Sequence, residues 1–214
     1  MGFLILQLKK YFVLAVLFIL PLVAYLFFAS GINNFAKLPI LTDSIQDLES
    51  LSNHSFENNI SIVTFLGNDI EDREGDALNL NQKIYKRFYQ FKDFQFVSIV
   101  PEGNELKSKN LKEKLSSGTN TDMKNWHFIH LPDSKIISLY NNLSTNIELG
   151  NDLGLPYAFI IDKSKALRGR DDDDGIKFGY DSRSVADINN NMLDDVKIIL
   201  AEYRMALKKN NVFN

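Results

Sequence analysis

Hydrophobic positions are spread unevenly along the chain. From Tyr11 to Ala29 an apolar run continues without a single charged residue. About 20 apolar residues at ~1.5 Å each cross the ~30 Å hydrocarbon core of a bilayer, so the run predicts a membrane-spanning helix. Pro21 lies inside it, where membrane helices tolerate proline better than soluble ones do. No polar face interrupts the run, which argues against a helix buried in a soluble core. Lys9 and Lys10 precede it and only Lys37 follows closely, a bias that keeps the short N-terminus in the cytoplasm and exports the rest. A cleaved leader would end in a small-x-small site, and Phe27-Phe28-Ala29 puts a bulky residue there.

The pattern then changes period. Residues 30–59 read as a linker and N-terminal extension, polar and turn-like over 53–59. Ile60-Ser61-Ile62-Val63-Thr64-Phe65 is β-branched and reads as a buried strand. Over 77–89, Ala77, Leu80, Ile84 and Phe88 fall on one face of a helix. Phe94 to Val100 is a second strand, ended by Pro101, Glu102 and Gly103. A variable, helical insert follows: a lysine-rich helix over 106–115, an extended segment over 126–131 and a short helix over 136–143. Tyr157 to Ile161 is a third strand, turned by Lys163-Ser164-Lys165 into a short fourth at 166–168. After an acidic loop at 171–175, Ser184 and Asp187 form a capping box for a long last helix. Ile188, Met192, Val196, Ile199, Tyr203 and Leu207 give its apolar stripe, and Lys208 and Lys209 suit its C-terminal dipole.

Strands joined by a helix should be parallel with a right-handed crossover, and strands joined by a tight turn antiparallel. The expected architecture is one α/β domain over 60–209, a central mixed β-sheet flanked by helices. A cytoplasmic stretch (1–10) and the membrane helix (11–29) precede it, and a tail (210–214) follows.

Composition narrows the chemistry. The chain holds no cysteine, which removes disulfides, thiolate metal sites, iron–sulfur clusters and thiol redox steps. A net charge of −3 gives no basic face for nucleic acid.

With the strands placed, the chain resembles the thioredoxin superfamily, and within it the membrane-tethered Sco (SenC) branch. The resemblance spans residues 30–207. It rests on the anchor, the strand ending at Phe65, the strand running into Val100-Pro101-Glu102, the Trp126 segment, and Phe159-Ile160-Ile161-Asp162-Lys163 leading to Leu167-Arg168-Gly169. Pro156, before the third strand, stands where thioredoxins carry a cis-proline, so a cis bond is expected there. Sco proteins carry a Cys-x-x-x-Cys pair after the first strand and a distant His. Here Asn68 and Asp72 stand about where the cysteines would, and Leu153-Gly154-Leu155 near the expected His. The resemblance therefore implies the fold without its copper or thiol chemistry, since soft Cu(I) wants sulfur.

Other candidate sites are weak. His127 and His130 sit in an alternating segment, so their side chains should point to opposite faces. His54 lies in a polar stretch and should be solvated. The run Asp171-Asp172-Asp173-Asp174 with Asp181 could attract a divalent cation, but Arg170 occupies the first ligand position of a calcium loop. The bland alternative is a solvated loop balanced by Arg168, Arg170 and Lys177. Asp69, Glu71, Asp72, Glu74 and Asp76 read as an exposed charge run. Trp126 reads as core. No phosphate loop, nucleophile elbow or cofactor motif is present.

The sequence thus suggests a non-catalytic, membrane-tethered, Sco-like protein of the bacterial envelope. Its domain would be periplasmic on a single-pass inner-membrane anchor, and the bilayer would be contacted through 11–29. Its partner would be an envelope protein, with respiratory-complex assembly implied by the resemblance. The partner face would be Asn68, Asp69, Asp72 and Pro156. The alternative is metal binding or delivery through carboxylates and His.

Overall fold

The computed structural model describes residues 2–29, 37–172 and 175–212. The chain divides into two units, 1–35 and 36–214.

The first unit is helix α1, Gly2–Ala29, with Pro21 inside it. Its side chains are described at Lys9 and over 11–26, and nearly all the large apolar ones there are exposed. Among the described residues no helix is long and apolar enough to cross a membrane.

The second unit is built on one mixed sheet. Six of its seven strands, β1 (Ile40–Thr42), β2 (Ile60–Leu66), β3 (Phe94–Pro101), β4 (Trp126–Leu131), β5 (Gly154–Ile161) and β6 (Leu167–Arg168), lie in the spatial order β1-β6-β5-β2-β3-β4, and the two-residue strand Tyr180–Asp181 pairs antiparallel with β5. β2 and β3 run parallel, joined through α2 (Glu74–Leu80), a π-turn at Asn81–Tyr85 and α3 (Lys86–Phe88). β5 returns antiparallel to β2, and β6 antiparallel to β5. The expected pairings therefore hold. The insert keeps the expected order of helix, extended segment and helix. Residues 126–131 form a full edge strand, β4, parallel to β3 and reached through α4 (Glu105–Thr119). α5 (Asp133–Asn142) then leads towards β5.

Side-chain alternation along the strands fills two cores, as pleating requires. Ile60, Ile62, Phe94, Phe96, Ala158 and Ile160 face one side, where α2, α4 and the last helix α6 (Leu193–Val212) pack. Val63, Phe65, Val97, Ile99, Phe159 and Ile161 face the other, covered by α5 and by Ile45, Leu48 and Phe56. Thr64, Ser98 and Trp126 form a polar thread in the first core. The Thr64 and Ser98 hydroxyls lie 2.9 Å apart, and Trp126 Nε1 donates to Ser98 Oγ at 2.9 Å. Trp126 is a core residue.

The segment expected to be a linker behaves as part of the domain from residue 37 onward; residues 30–36 lie outside the described set. β1 pairs with β6, and Leu38, Ile45, Leu48 and Phe56 are buried. Asp47 pins the segment's fold by accepting from Phe56 N (2.9 Å) and Ser55 Oγ (2.8 Å). His54 is half-buried rather than solvated, its ring 4.1 Å from that of His127.

The C-terminal helical region starts as expected, with Ser184 Oγ accepting from Asp187 N at 3.1 Å. The Asp187 carboxylate does not return that bond. It accepts from Asp181 N at 2.9 Å and also binds Lys177 and Asn191. The expected side chains of Lys208 and Lys209 lie outside the described set.

Candidate functional site

β2 ends at Leu66, and the chain must turn sharply to start the next helix. Gly67 makes the turn at φ +66°, a conformation that L side chains rarely adopt. A Cβ there would lie 2.6 Å from Asp152 O. Beyond it, Asn68 and Asp69 are exposed just before a short 3₁₀ turn, Ile70–Arg73, and Asp72 is exposed on it. Asn68 is nonetheless tied down. Its N–H donates to Asp152 O at 2.8 Å, its Oδ1 accepts from Asn104 Nδ2 at 3.0 Å, and its carbonyl accepts from Lys107 Nζ at 3.1 Å.

The centre of this pole is an ion pair that sequence reasoning missed. Arg73 NH1 lies 2.6 Å from Asp152 Oδ2, and NH2 lies 3.2 Å from Oδ1, a two-pronged contact. The same NH1 donates to Leu66 O and Asp69 O. Gly154 allows the approach, because a Cβ there would sit 2.6 Å from Arg73 Cζ. One guanidinium thus joins the end of β2, the 3₁₀ turn and the loop before β5. The only sequence signal was a lone cation at position 73 within a run of acids.

Below this clamp the molecule is closed. A cavity of about 10 Å³ lies among Thr64, Leu66, Arg73, Asp76, Trp126 and Tyr157, too small for a substrate. Burial raises the Asp76 carboxyl above its usual range, with Arg183 and Arg73 opposing and Asp181 reinforcing the shift. The open concavity at this pole is a groove of about 800 Å³ between the turn and α4. Ile70, Leu78 and Leu111 line it, and the ion pairs Lys107–Glu71 (3.2 Å) and Lys114–Glu74 (2.5 Å) join its walls.

Pro156 lies in β5 between the partners of Thr64 and Leu66, where the register shifts. A bulge suits a residue that has no N–H to give the ladder. Among the described residues no peptide bond is cis, so the expectation of a cis-proline is corrected. Pro156 therefore reaches the same end of the sheet as the 68–72 turn.

The remaining candidates separate. His127 packs on His54, while His130 bonds Ser108 Oγ on α4 at 3.1 Å, so the two point apart as alternation predicts. Asp171 and Asp172 lie exposed on β7 (Arg170–Asp172), paired with β8 (Gly175–Lys177). Asp173 and Asp174 lie outside the described residues. Asp181 is held by Arg183 at 2.8 and 2.9 Å. Among the described residues no three His, Asp or Glu side chains are grouped to hold a metal. The nearby cations also have partners beyond the acidic loop. Arg170 pairs with buried Asp195, Lys177 with Asp187, and Arg168 with Asp162 and Glu202.

The order β4-β3-β2-β5-β6, with helical crossovers between the parallel strands and antiparallel returns at β5 and β6, defines a thioredoxin-like domain. It carries no thiol where that class keeps its chemistry. No family model matches the chain, and no curated protein matches it. Solved structures are similar to it. A SCO1/SenC family lipoprotein from Bacillus anthracis is 14% identical, covering 79% of this chain and 99% of its own, with a TM-score of 0.47. BsSco, a member of the Sco family of cytochrome c oxidase assembly proteins, is 14% identical, covering 75% and 94%, with a TM-score of 0.48. A thioredoxin-family thiol:disulfide interchange protein from Chlorobium tepidum is 20% identical, covering 69% and 86%, with a TM-score of 0.42. At these identities the shared feature is the fold, which the strand order above already establishes.

Proposed function

We propose that this chain is a non-catalytic, Sco-like binding or assembly factor of the bacterial envelope, linked to respiratory complexes and held at the inner membrane by α1. One observation carries the non-catalytic part. Where related folds place reactive side chains, this one places a bidentate Arg73–Asp152 clamp over a closed cavity. A chain without cysteine offers no thiol to replace it. What remains at that pole is a surface: the 68–72 turn, Pro156 and the adjoining groove. The tether is supported by the uncharged apolar run from Tyr11 to Ala29, close to the ~20 residues that a span requires. The lysines before the apolar run favour an exported domain. The respiratory link comes from the sequence resemblance to Sco proteins.

A photo-crosslinker at Asp69 or Asp72 in the anchored chain tests the reading. Crosslinks to a respiratory-complex subunit or its assembly intermediate are expected. Crosslinks equally frequent from exposed positions on α5, or none to any envelope protein, would overturn it.

A further inference from the structure

The opposite end of the sheet carries a second surface. Ile60, the first residue of β2, forms the floor of a groove of about 270 Å³. Phe91, Leu200 and Tyr203 supply its other apolar walls, and Lys92, Lys163 and Arg204 its cations. Phe91 is 49% exposed, a large ring left in solvent at the end of α3.

Charge at this rim is lopsided. The nearby acids are consumed internally. Asp93 binds Lys163 at 2.5 Å, and Glu202 binds Arg168 at 2.9 Å. Lys92 and Arg204 pair with no acid among the described residues, and exposed Lys86 and Arg87 flank Phe91 in the same stretch. An exposed aromatic ring sharing a groove with Lys92 and Arg204 suits an interface between hydrocarbon and anionic headgroups.

Chain connectivity points the same way. Among the described residues Leu38 is the domain's first buried one, and its carbonyl accepts from Arg168 Nε at 3.1 Å and NH2 at 2.6 Å. Arg168 also binds Asp162 and Glu202, the neighbours of Lys163 and Tyr203 in the groove. The described chain therefore enters the domain, at Leu38, beside the groove. The thiol-free pole lies at the far end of β2, about 20 Å away at ~3.3 Å per residue.

We propose that this groove docks the domain on an anionic lipid surface, with Phe91 at the acyl boundary and Lys92 and Arg204 on lipid headgroups. The proposal rests on the tether reading. It deepens that reading by orientation: the bound domain turns its 68–72 face away from the bilayer, towards a partner.

The absence of native cysteine makes single-site labelling clean. The anchored chain carries a spin label at Gln90→Cys or, as a distal reference, at Glu102→Cys. It is placed in nanodiscs of phosphatidylcholine alone or with 30% phosphatidylglycerol. In the anionic discs the Gln90 label should lose collision with a water-soluble nickel reagent while the Glu102 label keeps it. Lys92→Gln or Arg204→Gln should each shift the docked fraction's equilibrium about fivefold towards release, from roughly 1 kcal/mol per cation at the surface. These are exposed positions, so folding is not at stake. Equal exposure of both labels in anionic discs, with the chain stably inserted, would overturn docking and leave the tether standing. Failure of the chain to insert at all would overturn both.

Discussion

Two arginines clamp opposite ends of the same sheet, and they differ in a way that separates structure from site. Arg168 is almost wholly enclosed: its side chain and that of Asp162 are 4% and 2% exposed. Its Nε, NH1 and NH2 all have partners, drawn from Leu38, Asp162 and Glu202. It fastens the N-terminal segment, the β5–β6 hairpin and the last helix to one another. The Arg73–Asp152 pair is wetter, at 15% and 20%, and Arg73 Nε is buried without a partner. It holds two loops at the pole where a thioredoxin-like fold keeps its chemistry. The contrast teaches that the first fastens three segments in a dry interior, while the second ties two loops together at a wetter end of the sheet.

The largest effect should come from Arg168. Replacing it by Met strands a buried carboxylate and the Leu38 carbonyl together. Loss of one partner of a buried pair costs about 3–5 kcal/mol. Urea unfolding followed by Trp126, the only tryptophan and a buried one, gives the value. A loss below 1 kcal/mol would erase the distinction between the two clamps.

Next comes Gly67→Ala. The new Cβ would meet Asp152 O at 2.6 Å and Gly154 N at 2.7 Å, in a left-handed backbone. Strain and overpacking together cost about 2–4 kcal/mol. A tolerated alanine would mean that the thiol-free pole is looser than its bonding implies. The Arg73 clamp itself should cost less. In a double-mutant cycle of Arg73→Met with Asp152→Asn, a coupling of about 1–2 kcal/mol is expected. Coupling near zero would make the pair a surface contact, and the reading of a closed pole would go with it.

The same contrast explains what the sequence made legible. Asp162 and Arg168 are six residues apart in one hairpin, so a local pattern displayed them together. Asp162 even closes the turn itself, accepting from Ser164 N and Ala166 N. Arg73 and Asp152 are 79 residues apart, and no periodicity links them. The three long strands were readable because both faces are buried and their runs are apolar. β4 was harder to place, since His127, Phe128 and His130 are only half-buried at a sheet edge. The segment from residue 37 looked like a linker because its buried residues, Leu38, Ile45, Leu48 and Phe56, follow no regular period. They are fixed by turns around Asp47.

The smallest prediction concerns a second fastening of that segment, the His54–His127 stack. Burial, then His54 and Lys112, lowers the His127 pKa from 6.5 to about 4. The unfolded chain takes up this proton near pH 6.5, while the folded chain resists until about pH 4. Protons therefore favour unfolding across that window. Stability from this source is complete above pH 7 and declines as pH falls from 6.5 towards 4. The ring is only half-buried, so screening reduces the effect to about 1 kcal/mol. His127→Gln should lose less stability than the parent between pH 7 and pH 5, with carboxylate contributions common to both. Because Arg168 is charged throughout that range, the Leu38 end should stay fastened while residues 51–57 loosen. Hydrogen exchange at pH 5 distinguishes the two ends. Uniform loosening of 37–59 would mean that the segment is held by a single fastening rather than two.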